Sequence, residues 1–216
     1  MAPFPIIIFC AVVMGHAAGQ NSRNNVWDLV YFISGDWTNR AQLDGETTGH
    51  DLFDSRIIPV SVPALHEETV LLLEDVINGK LFDLYLLVVT QDEKDKNLVH
   101  ATRYNINVTE KYKPGKFNVD ELYNLTMADI HREENCVGSY VRLSDGVFSG
   151  TCVMCGQVIG NQHPTFALTV TCDVFTMTVP LSVPVRATTI PYIFRRTGPR
   201  YPMINVPEDY LTPCDK

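Results

Sequence analysis

The 216 residues carry a formal net charge of −8, with 25 Asp and Glu against 17 Lys and Arg, and 45% of them are hydrophobic. A chain this acidic offers no basic face to a nucleic-acid backbone, and its apolar content is that of a packed core rather than a disordered segment. Its length fits one domain.

The N-terminus reads MAPFPIIIFCAVVMGHAAGQ, an apolar core from Ile6 to Met14 followed by the small residues Ala17, Ala18 and Gly19. This is the pattern of a secretory leader over residues 1–19, too short to span a bilayer. No later stretch reaches the roughly 18–20 apolar residues of a membrane-spanning helix. The expectation is a secreted, extracellular protein with no nucleic-acid or membrane partner. Two sequons, Asn107-Val108-Thr109 and Asn124-Leu125-Thr126, then become expected surface positions for N-linked sugar.

Beyond the leader, NNVWDLVYFISGDW reads as a short helix. ETVLLLEDV and KLFDLYLLVVTQDEKDK read as strands joined by the tight turn Asn78-Gly79, the second ending in a charged loop. LVHATRYNINV adds a strand. NVDELYNLTMADIHREE is a second helix candidate, capped by Asn118 or Asp120. Asp145-Gly146 folds residues 137–143 back on 147–153. TFALTVTCDVFTMTV, residues 165–179, alternates apolar and small polar residues and turns near Asp173, and PYIFRR completes the set. From Pro180 onward stand seven of the 13 prolines, so 197–216 is expected to be an irregular tail after a domain spanning 20–196. The fold class is all-β with one or two short helices, as a sandwich or a closed barrel.

Cys10 leaves with the leader, and Cys136, Cys152, Cys155, Cys172 and Cys214 remain. The Cys152-Val-Met-Cys155 spacing suits zinc or thiol exchange, but zinc needs a second closely spaced ligand pair and a redox motif needs a helix N-terminus. Neither context is present. In an oxidising compartment, disulfides are the default. The 145–146 hairpin brings Cys136 near Cys152 or Cys155. Cys172 belongs to the same set, and Cys214 can pair with any of them or with another chain.

The motifs of common enzymes are missing: no G-x-S-x-G, H-E-x-x-H, phosphate loop or dinucleotide fingerprint occurs. The histidines at 50, 66, 100, 131 and 163 are scattered. Glu67-Glu68 and Glu74-Asp75 are adjacent, and neighbours on a strand face opposite ways, so neither pair converges on one proton. No catalytic residue and no metal ligand is assigned.

FISGDWTNRAQL (32–43), the strand run through Val89, HATRYNI, and NCVGSYVRLSDGVFSGTC through PYIFRR resemble, in order, the CpcT/CpeT family of phycobiliprotein chromophore lyases over about residues 26–196. The resemblance implies a lipocalin-like antiparallel barrel, a calyx with one open end, that holds a bilin and helps join it to a cysteine thiol, and it implies a dimer. By motif position it marks Gln42 and Glu74 as acceptors for pyrrole N–H groups, Tyr104 as a stacking partner and Arg103 as a holder of a propionate. Aligned without a gap, Tyr104 faces inward and Arg103 outward. A one-residue slip reverses them.

Three readings follow. The first is a secreted calyx that binds a small apolar or bilin-like ligand and requires no cofactor. The second is an extracellular matrix protein, of shell or skeleton for example, that uses the barrel as a scaffold and assembles through Cys214. The third is a bilin lyase.

Overall fold

The computed structural model describes residues 24–44, 49–66, 68–107, 113–153, 166–178 and 190–214. The leader, Thr109, Cys155, His163 and most of the 180–190 stretch lie outside them. Among the described residues, ten strands form one closed antiparallel barrel: β1 (Gly35–Thr38), β2 (Phe53–Val60), β3 (Thr69–Ile77), β4 (Lys80–Gln91), β5 (Leu98–Ile106), β6 (Ile130–Ser144), β7 (Val147–Val153), β8 (Phe166–Val170), β9 (Val174–Thr178) and β10 (Tyr192–Arg196). Each strand pairs with its neighbours in sequence, and β1 closes the ring by pairing with both β2 and β10. Closure leaves no unpaired edge. The two expected hairpins are present, Ile77 opposite Lys80 and Ser144 opposite Val147. Asn78 and Gly79 both take the positive φ that such a two-residue turn requires.

The strands bury side chains on both faces. Leu71, Leu73, Val89, Val99, Ala101, Phe148, Val170 and Phe194 point inward and form one cluster with the helix α1 (Asn25–Ile33). On the outer face of β2–β5, Leu72, Leu84, Leu86, Val88 and Ile130 form a second cluster. It is covered by the single helical turns Pro63–Leu65 and Val119–Asn124. The second helix expected from residues 118–134 is therefore only that short turn, capped by the Asn118 side chain, followed by the start of β6. Its apolar spacing arises because Leu122 is fully buried against the barrel's outer wall and Ile130 already belongs to a strand.

Helix α1 closes one end of the barrel. Asn24 caps its N-terminus, accepting from the N–H groups of Val26 and Trp27. Its last carbonyls are each satisfied from elsewhere: Tyr31 by Arg200 Nε (3.1 Å), Phe32 by Arg196 (2.8 Å) and Ile33 by Trp37 Nε1 (2.7 Å). Two guanidinium groups at a helix C-terminus also complement its dipole. Arg196 further donates to the Ser34 carbonyl and lies over the Trp37 ring. It passes so close to Gly35 that a Cβ there would fall 2.3 Å from the guanidinium, and Gly35 sits at φ +134 besides.

Residues 197–214 are irregular yet packed. The Tyr210 ring meets Trp27 and Tyr31 edge-on, and its hydroxyl donates to Asp28 (2.7 Å). Burial, and then the Asp28 carboxylate, push that phenol well above its ordinary pKa. Asp28 in turn binds Arg142, which also donates to Asn25 (2.9 Å). Cys214 forms a disulfide with Cys172, with Cα atoms 5.7 Å apart. This corrects the reading of Cys214 as a spare thiol for assembly between chains, because its sulfur is committed within the chain. Cys136 and Cys152 are also disulfide-bonded.

Candidate functional site

Inward-facing side chains change character along the barrel. Next to α1 they are sealed: Leu71, Val99, Phe148 and Val170 are buried. Towards the opposite end, Tyr85, Leu168, Met177 and Tyr192 are only partly buried although they also point inward. The interior is therefore fully packed next to α1 and less completely buried towards the other end.

Two kinds of wall line the interior. Strands β9, β10, β1 and β2 carry an aromatic ladder. Trp37 meets Phe175 edge-on, Phe175 stacks on Phe194 (centroids 4.6 Å apart), Phe53 packs on Phe194 and Tyr192, and His50 stacks on Tyr192 (4.2 Å). Trp37, Phe53 and Phe194 are buried within this ladder, and the rings left partly exposed, Phe175 and Tyr192, suit contact with a flat, apolar molecule.

Strands β3–β6 carry charge. Arg103 of β5 grips both oxygens of Asp83, at 2.9 Å each. Its Nε reaches Asn105 (2.8 Å) and Glu133 (2.7 Å), and its guanidinium lies 3.9 Å over the Tyr85 ring. Burial pulls the Arg103 pKa down, but the hydrogen bond and charge of Asp83, with Tyr85 and Glu133, more than offset it, and the net shift is upward. Asp75 of β3 accepts from Ser55 (2.6 Å) and, more weakly, from Tyr85 (3.4 Å). Burial first, and then the neighbouring Asp83 charge, raise the Asp75 pKa to about 7 against the opposing Ser55 and Arg103. The Tyr85 hydroxyl is pushed well above its usual value by burial and by Asp75 and Asp83. The cluster thus holds a carboxyl that is half protonated near neutrality, able to donate or accept, beside two carboxylates that share one arginine. No group of three or more His, Cys, Asp or Glu among the described residues is arranged to hold a metal ion.

The four residues marked by motif position do not converge. Arg103 lies inside, in line with Val99 and Ala101, whereas Tyr104 packs into the outer cluster, so the register is the slipped one. Glu74 faces outward: it binds Arg56 (3.0 Å), accepts from the Gly115 N–H (2.6 Å), and lines an outer cleft of about 270 Å³. Gln42, from the short helix α2 (Arg40–Leu43), spends its amide on the Pro191 carbonyl (2.8 Å) and the Ile193 N–H (3.0 Å), which fastens β10. Asp75, Asp83, Glu133 and Tyr85 were missed. Strand alternation puts Asp75 on the face of Leu71 and Leu73 and Glu74 on the opposite one, but both faces are buried and alternation alone does not say which is the lumen. Asn107 and Asn124 are exposed.

No protein-family model matches the chain, and no curated protein matches it. Among solved structures, the barrel is similar to the CRL protein of Arabidopsis, with 17% sequence identity and a TM-score of 0.59 over 81% of this chain and 98% of that one. At that identity the likeness is one of fold.

Proposed function

We propose that the protein is an exported calyx that takes up a flat, largely apolar small molecule through the end opposite α1. The observation that carries this reading is the less completely buried end of the interior, with the partly exposed rings of Phe175 and Tyr192 on β9 and β10 and the Asp75–Asp83–Arg103–Glu133 cluster on β3–β6. Stacking supplies affinity and the carboxyl groups orient ligand N–H groups. The motif resemblance to CpcT/CpeT lyases and the similarity to the CRL barrel make a bilin the first ligand to try. Its pyrrole N–H groups match the carboxylates. The guanidinium fork of Arg103 is taken by Asp83, so the propionates would point out of the mouth. Export is supported by the leader pattern and by the Cys172–Cys214 disulfide, which belongs to an oxidising compartment. The two exposed sequon asparagines fit the same route.

Titrating the purified protein with biliverdin and following its absorption tests this. The expected result is a shifted, sharpened visible band that saturates at one bilin per chain. An unchanged spectrum would overturn the reading in favour of a scaffold protein of the extracellular matrix.

A further inference from the structure

A second constellation lies on the outward face of the barrel, away from the lumen. His100 of β5 and Ser139 of β6 are direct cross-strand partners, and the loop after β4 brings Asp92 beside them. His100 Nδ1 is 3.2 Å from Ser139 Oγ, and His100 Nε2 is 2.9 Å from Asp92 Oδ2. The other Asp92 oxygen accepts the backbone N–H groups of Lys94 (2.8 Å) and Asp95 (2.7 Å), so the carboxylate is fixed in place. The hydrogen bond from His100, with these amides, holds Asp92 down to about 2. An ionised carboxylate only accepts, so the neutral imidazole must carry its hydrogen on Nε2. That leaves the Nδ1 lone pair facing the serine hydroxyl. The side chains of His100 and Asp92 are 28% and 26% exposed, within reach of a solute.

We propose that Ser139 is a nucleophile with His100 as its general base and Asp92 as the positioning residue, and that this site transfers acyl groups from activated esters to water. Ser139 Oγ bonds to the ester carbonyl carbon as its proton passes to Nδ1. The adduct expels the leaving oxygen, which takes that proton or departs as a phenolate while the imidazolium gives the proton up to solvent. Water then attacks the acyl-serine, giving a proton to Nδ1, and the carboxylic acid leaves as Ser139 recovers its hydrogen. Asp92 offsets the charge on the transient imidazolium. The substrate class follows from what surrounds Ser139. It lies inside a strand paired on both sides, so the nearby N–H groups are engaged in the ladder rather than preorganised for an oxyanion. Such donors are worth roughly 10²–10³ in rate. Without them, aryl esters with good leaving groups are within reach and amides are not.

The test is p-nitrophenyl acetate with the full, disulfide-bonded chain, following p-nitrophenolate release and locating the acetyl group by peptide mass spectrometry. The acetyl group is expected on Ser139. Ser139→Ala should abolish it, and His100→Gln should slow Ser139 acetylation about 100-fold. Asp92→Asn should slow it about tenfold at an unchanged unfolding midpoint, with Asp92→Glu restoring part of the rate, which a purely structural carboxylate would not produce. Acetylation confined to other residues, or Ser139 acetylation at the wild-type rate in His100→Gln, would overturn the proposal.

Discussion

The two ends of the barrel are built on opposite principles. At the α1 end most of the described polar groups are paired: Asp28 with Arg142 and Tyr210, the helix carbonyls with Arg196, Arg200 and Trp37, and the tail tied down by Cys172–Cys214. At the other end the interior carries an excess of carboxyl groups, one of them held far from its ordinary pKa, beside aromatic rings that are only partly covered. A floor whose interactions are largely satisfied contributes stability. A mouth that tolerates crowded like charges gives stability up, and such frustration marks functional sites.

Breaking the floor should cost most. Asp28→Ala leaves the Arg142 guanidinium buried without its carboxylate, and a loss of roughly 3–5 kcal/mol in urea unfolding is expected. The double variant Cys172→Ser, Cys214→Ser releases a 42-residue separation. It should lower stability by about 2–4 kcal/mol, and reductant should lower the wild type by at least as much, because it also opens the bonds of Cys136 and Cys152.

The mouth should respond with the opposite sign. Asp75 has a folded pKa of about 7, above its ordinary 3.8. Below about pH 4 both folded and unfolded chains are protonated there. Between 4 and 7 the folded chain keeps a proton that the unfolded chain has lost, so this group's contribution falls as pH rises, by up to about 1.4 kcal/mol per pH unit, and is flat above 7. Asp75→Asn should remove that decline, making the variant more stable than wild type at pH 8 and not at pH 4. Tyr85→Phe removes only a 3.4 Å hydrogen bond, and a change of about 0.5 kcal/mol or less in the unfolding free energy is expected.

Much of the fold was legible. Asn78-Gly79 and Asp145-Gly146 announce their hairpins, and the N-terminal helix follows from its apolar run beside a cap residue. The helix reading ran on through Gly35-Asp36-Trp37, but α1 ends at Ile33 and these residues begin the four-residue strand β1, too short to show its own period; β2 escaped notice because Asp54, Arg56 and Pro59 interrupt its run. The site was harder for a physical reason. β3–β5 bury both faces, one on the lumen and one under the turns at 63–65 and 119–124, so LLLED and HATRYN do not say which face is inside. Alternation fixes register only where one face is wet. The family motif put Glu74 and Tyr104 forward in place of Asp75, alternation could not overrule it, and only closure of the barrel resolves which face is inside. The disulfide of Cys214 is likewise set by how the tail crosses α1, which local sequence does not encode.

The most direct test of an open, ligand-taking mouth is to fill it. Met177 points inward and is only partly buried, beside Leu168 and Tyr192. The biliverdin spectral shift should be lost in Met177→Trp while the unfolding midpoint stays near that of wild type. A bilin bound equally well by wild type and by Met177→Trp would contradict a ligand site inside the barrel.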